Sequence, residues 1–150
     1  MNEERIIRTL ETLQLIKIFS DASSNTHFFE GSSTIISATL VSPKTWSFPI
    51  VARQLIVLFK SGHAYTYLAE EDENILEEMV AAESPGKFVY ARLKSLQSRK
   101  LDDVETRGLI HALIQHRILS YYDDALARAF ILSNHPLLEL YNSKYFKPSL

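Results

Sequence analysis

Two tyrosines and a group of basic residues are the side chains of this sequence whose types and spacing best fit a binding chemistry. Tyr65 and Tyr67 alternate in a Tyr-x-Tyr segment, and the stretch 84–100 contains five cations and no acid. Aromatic rings on a sheet stack on bases with little sequence preference, while lysine and arginine neutralise phosphates. We therefore predict a surface for single-stranded nucleic acid, RNA or DNA, formed by Lys60, His63, Tyr65, Tyr67, Lys87, Arg92 and Lys94.

The same two tyrosines also fit a role in core packing. Apolar runs flank the pair Ser61-Gly62, so 53–68 is predicted to be a β-hairpin with that pair as its two-residue turn. In this register Tyr65 lies opposite Leu58 on one side of the sheet. That side would carry Ile56, Leu58, Lys60, His63, Tyr65 and Tyr67. If a helix covers this side, the two tyrosine rings are buried in the core. If this side faces solvent, the rings are exposed and can bind a ligand, and both interpretations stay open.

The hairpin predicts the architecture around it. Residues 55–59 are apolar on both sides of a strand, which is typical of a central strand that is covered on both faces. Residues 34–41 form another strand, and two prolines place 42–52 in a connecting loop whose large apolar residues either close over the core or form a contact patch. We predict an α+β fold with a small antiparallel sheet of about three strands, packed with helices.

Two helices of opposite charge are predicted after the hairpin. Residues 70–83 contain seven acids with apolar residues at helical spacing. The pair Ser84-Pro85 is typical of a cap and a first helical residue, and a basic helix follows to about Gln97. Gly86 would also let this helix start present amides to an anion, although a cap and a tight turn explain the same residues.

The N-terminal segment is predicted to be helical. Residues 3–13 have apolar side chains at helical spacing, and 15–19 either extend that helix or form a short strand. Turn-forming residues then predict a loop at 20–33. The charges near the start do not fit a signal peptide, and no run is long enough for a membrane span, so we expect no membrane association.

A helical C-terminal extension is predicted at about 101–150. Residues 101–103 restart the helix with an aspartate as its cap. The apolar spacing from 104 to 132 fits either one long helix or two that break at 120–123. A short helix at 136–142 and a tail complete the chain.

The hairpin and the helix start resemble the KTSC family, a short domain named for its occurrence at the C-terminus of some lysyl-tRNA synthetases. The matching motifs are Ser32-Ser33, Phe59 to Gly62, Tyr65 with Tyr67, and Ala82 to Phe88, within a core of about residues 32–96. The loop 42–52 is longer than the family's connection, and Ala69-Glu70-Glu71 replaces a Val-Pro pair. The resemblance implies a small unit of sheet and helices for which RNA binding has been suggested.

Composition bounds the remaining possibilities. A chain of 150 residues fits a single domain, 1–150, and it contains no cysteine, which favours a reducing, cytoplasmic setting. A net charge of −2 argues against coating nucleic acid by bulk charge, so a local patch is required. The five histidines show no metal-ligand spacing and no nucleophile has a sequence-local base, so we predict no enzyme activity, no catalytic residues, no metal and no cofactor.

The alternative function is that of a protein-interaction subunit, such as an adaptor or a phage-encoded or bacterial accessory protein or inhibitor. Its support is the helical C-terminal extension and its aromatic residues, because aromatics are enriched at the centres of interfaces. These are Tyr121, Tyr122, Tyr141, Tyr145 and Phe146. The acidic helix of one copy also fits the basic segment of a second, which would favour a homodimer.

Overall fold

The computed structural model describes residues 26–41, 53–69, 74–119, 121, 123–133 and 135–142. They fall into two compact units, one within 22–101 and the other within 102–150. The first contains a sheet with helices and the second is helical, which confirms the α+β class. The features predicted at 3–13, 15–19, 42–52 and 143–150, and Tyr122 with them, lie outside the described residues.

The described part of the first unit contains a sheet of five antiparallel strands, in chain order from one edge to the other. The prediction of about three strands identified only the inner three. The two edge strands have three residues each and no apolar alternation, so pairing with a neighbour, rather than propensity, makes them strands. The strands are β1 Thr26–Phe28, β2 Ile35–Val41, β3 Gln54–Phe59, β4 Ala64–Leu68 and β5 Ser98–Lys100.

The hairpin between β3 and β4 turns through three residues rather than two. The Phe59 amide donates to the carbonyl of His63 at 2.9 Å, and the Gly62 amide donates to the carbonyl of Phe59 at 3.0 Å. Gly62 has a φ of 93°, the left-handed conformation that closes such a loop. The extra turn residue shifts the register by one, so the predicted pairing of Tyr65 with Leu58 is wrong. Tyr65 pairs with Val57.

Replacing Gly62 with alanine is expected to lower the free energy of unfolding by about 1 kcal/mol, because a Cβ atom is disfavoured in the left-handed region. Urea unfolding followed by circular dichroism measures the loss. Gly31→Ala is the matched control, since a Cβ at Gly31 would meet nothing within 4 Å and Gly31 has no positive φ. Equal midpoints for the two variants would contradict the left-handed conformation of Gly62.

Helices cover the face of the sheet that carries Leu55, Val57 and Tyr67. Helix α1 spans Ile75–Ala81, and α2 spans Pro85–Phe88 and continues into a π-helical turn. The π-helical turn is Val89–Leu93. The buried cluster of this unit comprises Ile35, Ala38, Leu40, Leu55, Val57, Tyr67, Ala69, Ile75, Met79 and Leu93.

Strand β3 is central, as predicted. It is third of the five strands, and Leu55 to Leu58 are all buried, so both of its faces are covered. The acidic helix presents Ile75 and Met79 to the core, whereas Val80 is 42% exposed. One residue adds about 100° around a helix, which turns Val80 away from Met79.

The second unit contains three helices within the described residues, α3 Asp103–Leu119, α4 Asp124–Ile131 and α5 Pro136–Leu140. The alternative of two helices in 104–132 is therefore the observed one. Asp123 starts α4, because its carboxylate accepts from the Ala125 amide at 2.8 Å. No helix of the described segments is long and apolar enough to cross a bilayer.

A reciprocal capping box begins α3. The carboxylate of Asp102 accepts from the Glu105 amide at 2.8 Å, and the Asp102 amide donates to the Glu105 carboxylate at 3.1 Å. This confirms the predicted aspartate cap. Tyr121, between α3 and α4, contacts both helices. Its hydroxyl accepts a hydrogen bond from Arg117 Nε of α3 at 2.9 Å, and its ring centre lies 6.1 Å from that of Phe130 in α4.

Candidate nucleic-acid interface

The rings of Tyr65 and Tyr67 lie on the helix-covered face of the sheet. Tyr67 is 7% exposed and belongs to the buried cluster, and Tyr65 is half-buried against that cluster. Their ring centres are 6.3 Å apart, and Tyr65 also meets the Phe59 ring edge-on at 5.9 Å. The prediction that both tyrosines share a side with Ile56 and Leu58 is wrong, because the three-residue turn moves them to the opposite side. Core packing is the interpretation that their positions support.

The burial of Tyr67 also changes its acidity. Loss of solvent raises the pKa of the Tyr67 phenol above its ordinary value, and the neighbouring Tyr65 adds to the rise. The hydroxyl of Tyr67 therefore stays protonated over the whole physiological range. A neutral ring among aliphatic side chains contributes to stability rather than to the capture of a charged ligand.

Lys60 and His63 lie at the turn of the hairpin. The Lys60 amide donates to the Thr34 carbonyl at 2.8 Å, which ties the turn to the start of β2. The His63 side chain is exposed and that of Lys60 is half-buried. Both remain at the surface, but Tyr67 is buried in the core and Tyr65 is half-buried against it, so the turn has no exposed ring for a base to stack on.

The start of α2 is a cap, which is one of the two alternatives that the sequence left open. Ser84 Oγ accepts from the Lys87 amide at 3.3 Å, and Pro85 occupies the first turn, where its missing amide costs nothing. A Cβ on Gly86 would lie 2.7 Å from Thr34 Oγ1, so glycine allows α2 to approach the start of β2. This contact and the Lys60 bond both involve Thr34, which follows Ser32-Ser33, so three of the motifs lie near one end of the sheet. They are Ser32-Ser33, Phe59 to Gly62 and Ala82 to Phe88.

An exposed aromatic residue that was not among the predicted binding residues lies on the π-helical turn. Tyr90 is 72% exposed, and the Lys94 ammonium lies 4.5 Å from the centre of its ring. The Lys94 amide donates to the Val89 carbonyl at 3.0 Å, the hydrogen bond across five residues that defines this turn. The ring and the cation therefore form one solvent-facing pair.

Lys87 lies on the same side of the helix as this pair. Lys87 precedes Tyr90 by three residues and Lys94 follows it by four, the spacings that place side chains on one helix face. All three are exposed. We call Lys87, Tyr90 and Lys94 the Tyr90 surface. Arg92 is half-buried, whereas the three residues of the Tyr90 surface are exposed, so Arg92 is not part of that surface.

The signal for Tyr90 was present in the sequence. Its distances of three residues from Lys87 and four from Lys94 are those that share a helix face. The alternating tyrosines of the hairpin fit a strand, and they were the rings predicted to bind. A helical projection of 84–97 separates Tyr90 from the apolar residues and finds the surface directly.

Histidines in the second unit pack separately. The ring of His111 stacks on that of Tyr141 at 6.0 Å. Burial lowers the pKa of His116, and the neighbouring Arg117 lowers it further. Within the described ranges, no group of three or more histidine, aspartate or glutamate residues is placed to hold a metal ion.

Comparison with known proteins gives no match to a protein-family model, to a curated protein or to a solved structure. The geometry of the chain's own residues is therefore the basis for a function.

Proposed function

We propose that this protein is a non-enzymatic binding module for single-stranded nucleic acid, RNA first, and that it binds through the Tyr90 surface. One observation carries the proposal. A tyrosine ring that is 72% exposed stands with a lysine ammonium 4.5 Å from its centre and a second exposed lysine on the same side of the helix. A ring this exposed contributes little to core packing and is accessible to a ligand.

The chemistry of the Tyr90 surface fits an unpaired base and its phosphates. A base stacked on an aromatic ring contributes about 1–3 kcal/mol, and any base can stack because each has a π face. Lys87 and Lys94 would neutralise the phosphates on either side. Residues 84–101 contain no acid, so no carboxylate of this segment repels the backbone of the ligand.

The resemblance to the KTSC family supports the same ligand class, since RNA binding has been suggested for that family. Three of the motifs that carry the resemblance meet near Thr34, at the end of the sheet where the basic helix begins. The proposal places the protein in the cytoplasm, in keeping with a sequence that lacks cysteine.

Replacing Tyr90 with alanine is expected to weaken binding of a fluorescein-labelled oligouridylate of about 12 nucleotides by about tenfold, because one stacking contact is lost. Fluorescence anisotropy at about 50 and about 200 mM salt gives the affinity and its salt dependence. Tyr90→Phe keeps the ring and should keep most of the affinity.

Val80→Ala is the matched control for this experiment, because it truncates an exposed apolar residue on the neighbouring helix. It should bind like the wild type. Absence of binding at the lower salt concentration, or equal affinity of Tyr90→Ala and wild type, would refute the proposal.

The second candidate is a protein-interaction subunit that acts through α4. Leu126 and Ile131 of α4 are each 52% exposed, and Leu132, which follows the last residue of α4, is 83% exposed, so this helix and its end carry exposed aliphatic surface. A homodimer or a hetero-complex would cover them. Light scattering of the purified chain separates a monomer from a dimer and decides whether a second copy is that partner.

A further inference from the structure

Strand β5 is an edge whose outward backbone groups the hydrogen bonds identify. The Leu68 amide donates to the Gln97 carbonyl at 2.8 Å, and the Leu101 amide donates to the Ala64 carbonyl at 2.9 Å. Pairing directions alternate along an antiparallel strand, so the amide and carbonyl of Arg99 also face β4. Those of Ser98 and Lys100 face away from it, and among the described residues no further strand of the sheet lies beyond β5.

The side chains of β5 are exposed, and two of the three are basic. The pairing of Arg99 with Thr66 places Arg99 on one side of the sheet, and the pairing of Lys100 with Tyr65 places Lys100 on the other. An added strand would alternate its side chains in the same way. An acidic side chain of the added strand would therefore lie near a cation, whichever side of the sheet it occupies.

A shallow depression of about 210 Å³ lies beside this edge. Its lining contains no acid. The Thr66 hydroxyl donates to Gln54 Oε1 at 2.6 Å, which fixes the amide of Gln54, and the NH2 of that amide is a hydrogen-bond donor. Gln54 and Arg99 supply donors to the depression, whereas the Ser98 side chain lies on the other side of the sheet, with Tyr67. It is lined by Gln54, Thr66, Leu68, Gln97, Ser98 and Arg99.

We propose that β5 binds an extended, acidic peptide segment of a partner protein as a sixth strand of the sheet. The backbone of the segment bonds to Ser98 and Lys100, and one of its aspartate or glutamate side chains enters the depression next to Arg99. A second copy of β5 fits poorly, because two such strands paired edge to edge bring their arginines and lysines together. This proposal involves residues other than the Tyr90 surface and does not depend on nucleic-acid binding.

The test is the affinity for a labelled, end-blocked peptide of alternating glutamate and valine, measured by fluorescence anisotropy. Ser98→Pro removes an amide that faces away from β4, so the sheet keeps its own hydrogen bonds while the edge loses a donor. We expect Ser98→Pro to bind more than tenfold more weakly. Ser98→Ala is the matched control, which keeps the amide and should bind like the wild type.

Arg99→Glu provides a second variant that leaves the backbone unchanged. It should lower the affinity for the acidic peptide and raise the affinity for a peptide of alternating lysine and valine. Circular dichroism and urea midpoints establish that each variant is folded. The proposal is overturned if wild type does not bind the acidic peptide, if Ser98→Pro binds like Ser98→Ala, or if Tyr90→Ala weakens the peptide as much as Ser98→Pro. It is also overturned if light scattering finds a dimer that Ser98→Pro dissociates, because the occupant would then be a second copy.

Discussion

Tyr67→Ala is expected to lower the free energy of unfolding by about 3 kcal/mol, because truncating a buried aromatic ring removes its apolar contacts and leaves a cavity. Tyr67 is 7% exposed and packs in the cluster formed by the sheet, α1 and the π-helical turn. Urea unfolding followed by circular dichroism gives the loss. A change of this size is about 150-fold in the folding equilibrium, and it is the largest single effect on stability that we expect from the residues first predicted to bind.

Tyr90→Ala is the control for this measurement, since it removes the same side chain from an exposed helix position. Its unfolding free energy should lie within about 0.5 kcal/mol of the wild type. The two variants separate the two meanings of an aromatic residue in this sequence. Tyr67 supports the fold and Tyr90 is available to a ligand. If Tyr67→Ala were as stable as Tyr90→Ala, the hairpin register would have to be wrong.

The sequence predicted the hairpin but not its register. The apolar runs around Ser61-Gly62 predicted the hairpin, and the central position of β3 followed from its apolar residues on both faces. The number of turn residues did not follow, because Gly62 closes a two-residue or a three-residue loop equally well by composition. Side chains alternate with a period of two, so an error of one residue moved both tyrosines to the wrong face.

The edge strands and the second unit also separate features that local sequence predicts from features that depend on pairing between distant residues. Residues 98–100 follow the predicted end of the basic helix at about Gln97 and were given no strand, and only pairing with β4 makes them one. Conversely, Asp123 was part of a recognised break in 104–132, and its capping bond turned an open alternative into two helices. Local signals such as caps were readable, whereas contacts between residues distant in the chain were not.

The Tyr90 surface was within reach of the sequence but was not found. Lys87 and Lys94 were both among the predicted binding residues, and the tyrosine between them has the spacing of a shared helix face. Alternating tyrosines in a strand are a more specific sequence pattern than a single tyrosine in a helix, so the pattern favoured Tyr65 and Tyr67. Which of the three rings is exposed depends on the folded structure and cannot be read from the pattern.

Reversing both lysines of the Tyr90 surface is expected to have the largest effect on binding. Lys87→Glu with Lys94→Glu should weaken the oligouridylate by about a hundredfold, since each lost charge-assisted contact with a phosphate costs at least about tenfold. The salt dependence should change as well. Each phosphate contact contributes about −0.7 to the slope of log K against log salt for a single strand, so the slope should become shallower by about 1.4.

The matched control is Arg107→Glu with Arg128→Glu, which changes the net charge of the chain by the same amount through two exposed residues of the helical unit. If the Tyr90 surface is the binding site, this control loses little affinity and keeps the wild-type slope. Equal losses in the two double variants would mean that binding follows overall charge, which is the weaker, nonspecific attraction that any oligonucleotide has for cations. The slope is the decisive quantity, because removing two phosphate contacts lowers the number of counterions released on binding, whereas charges distant from the ligand are largely screened at the higher salt concentration.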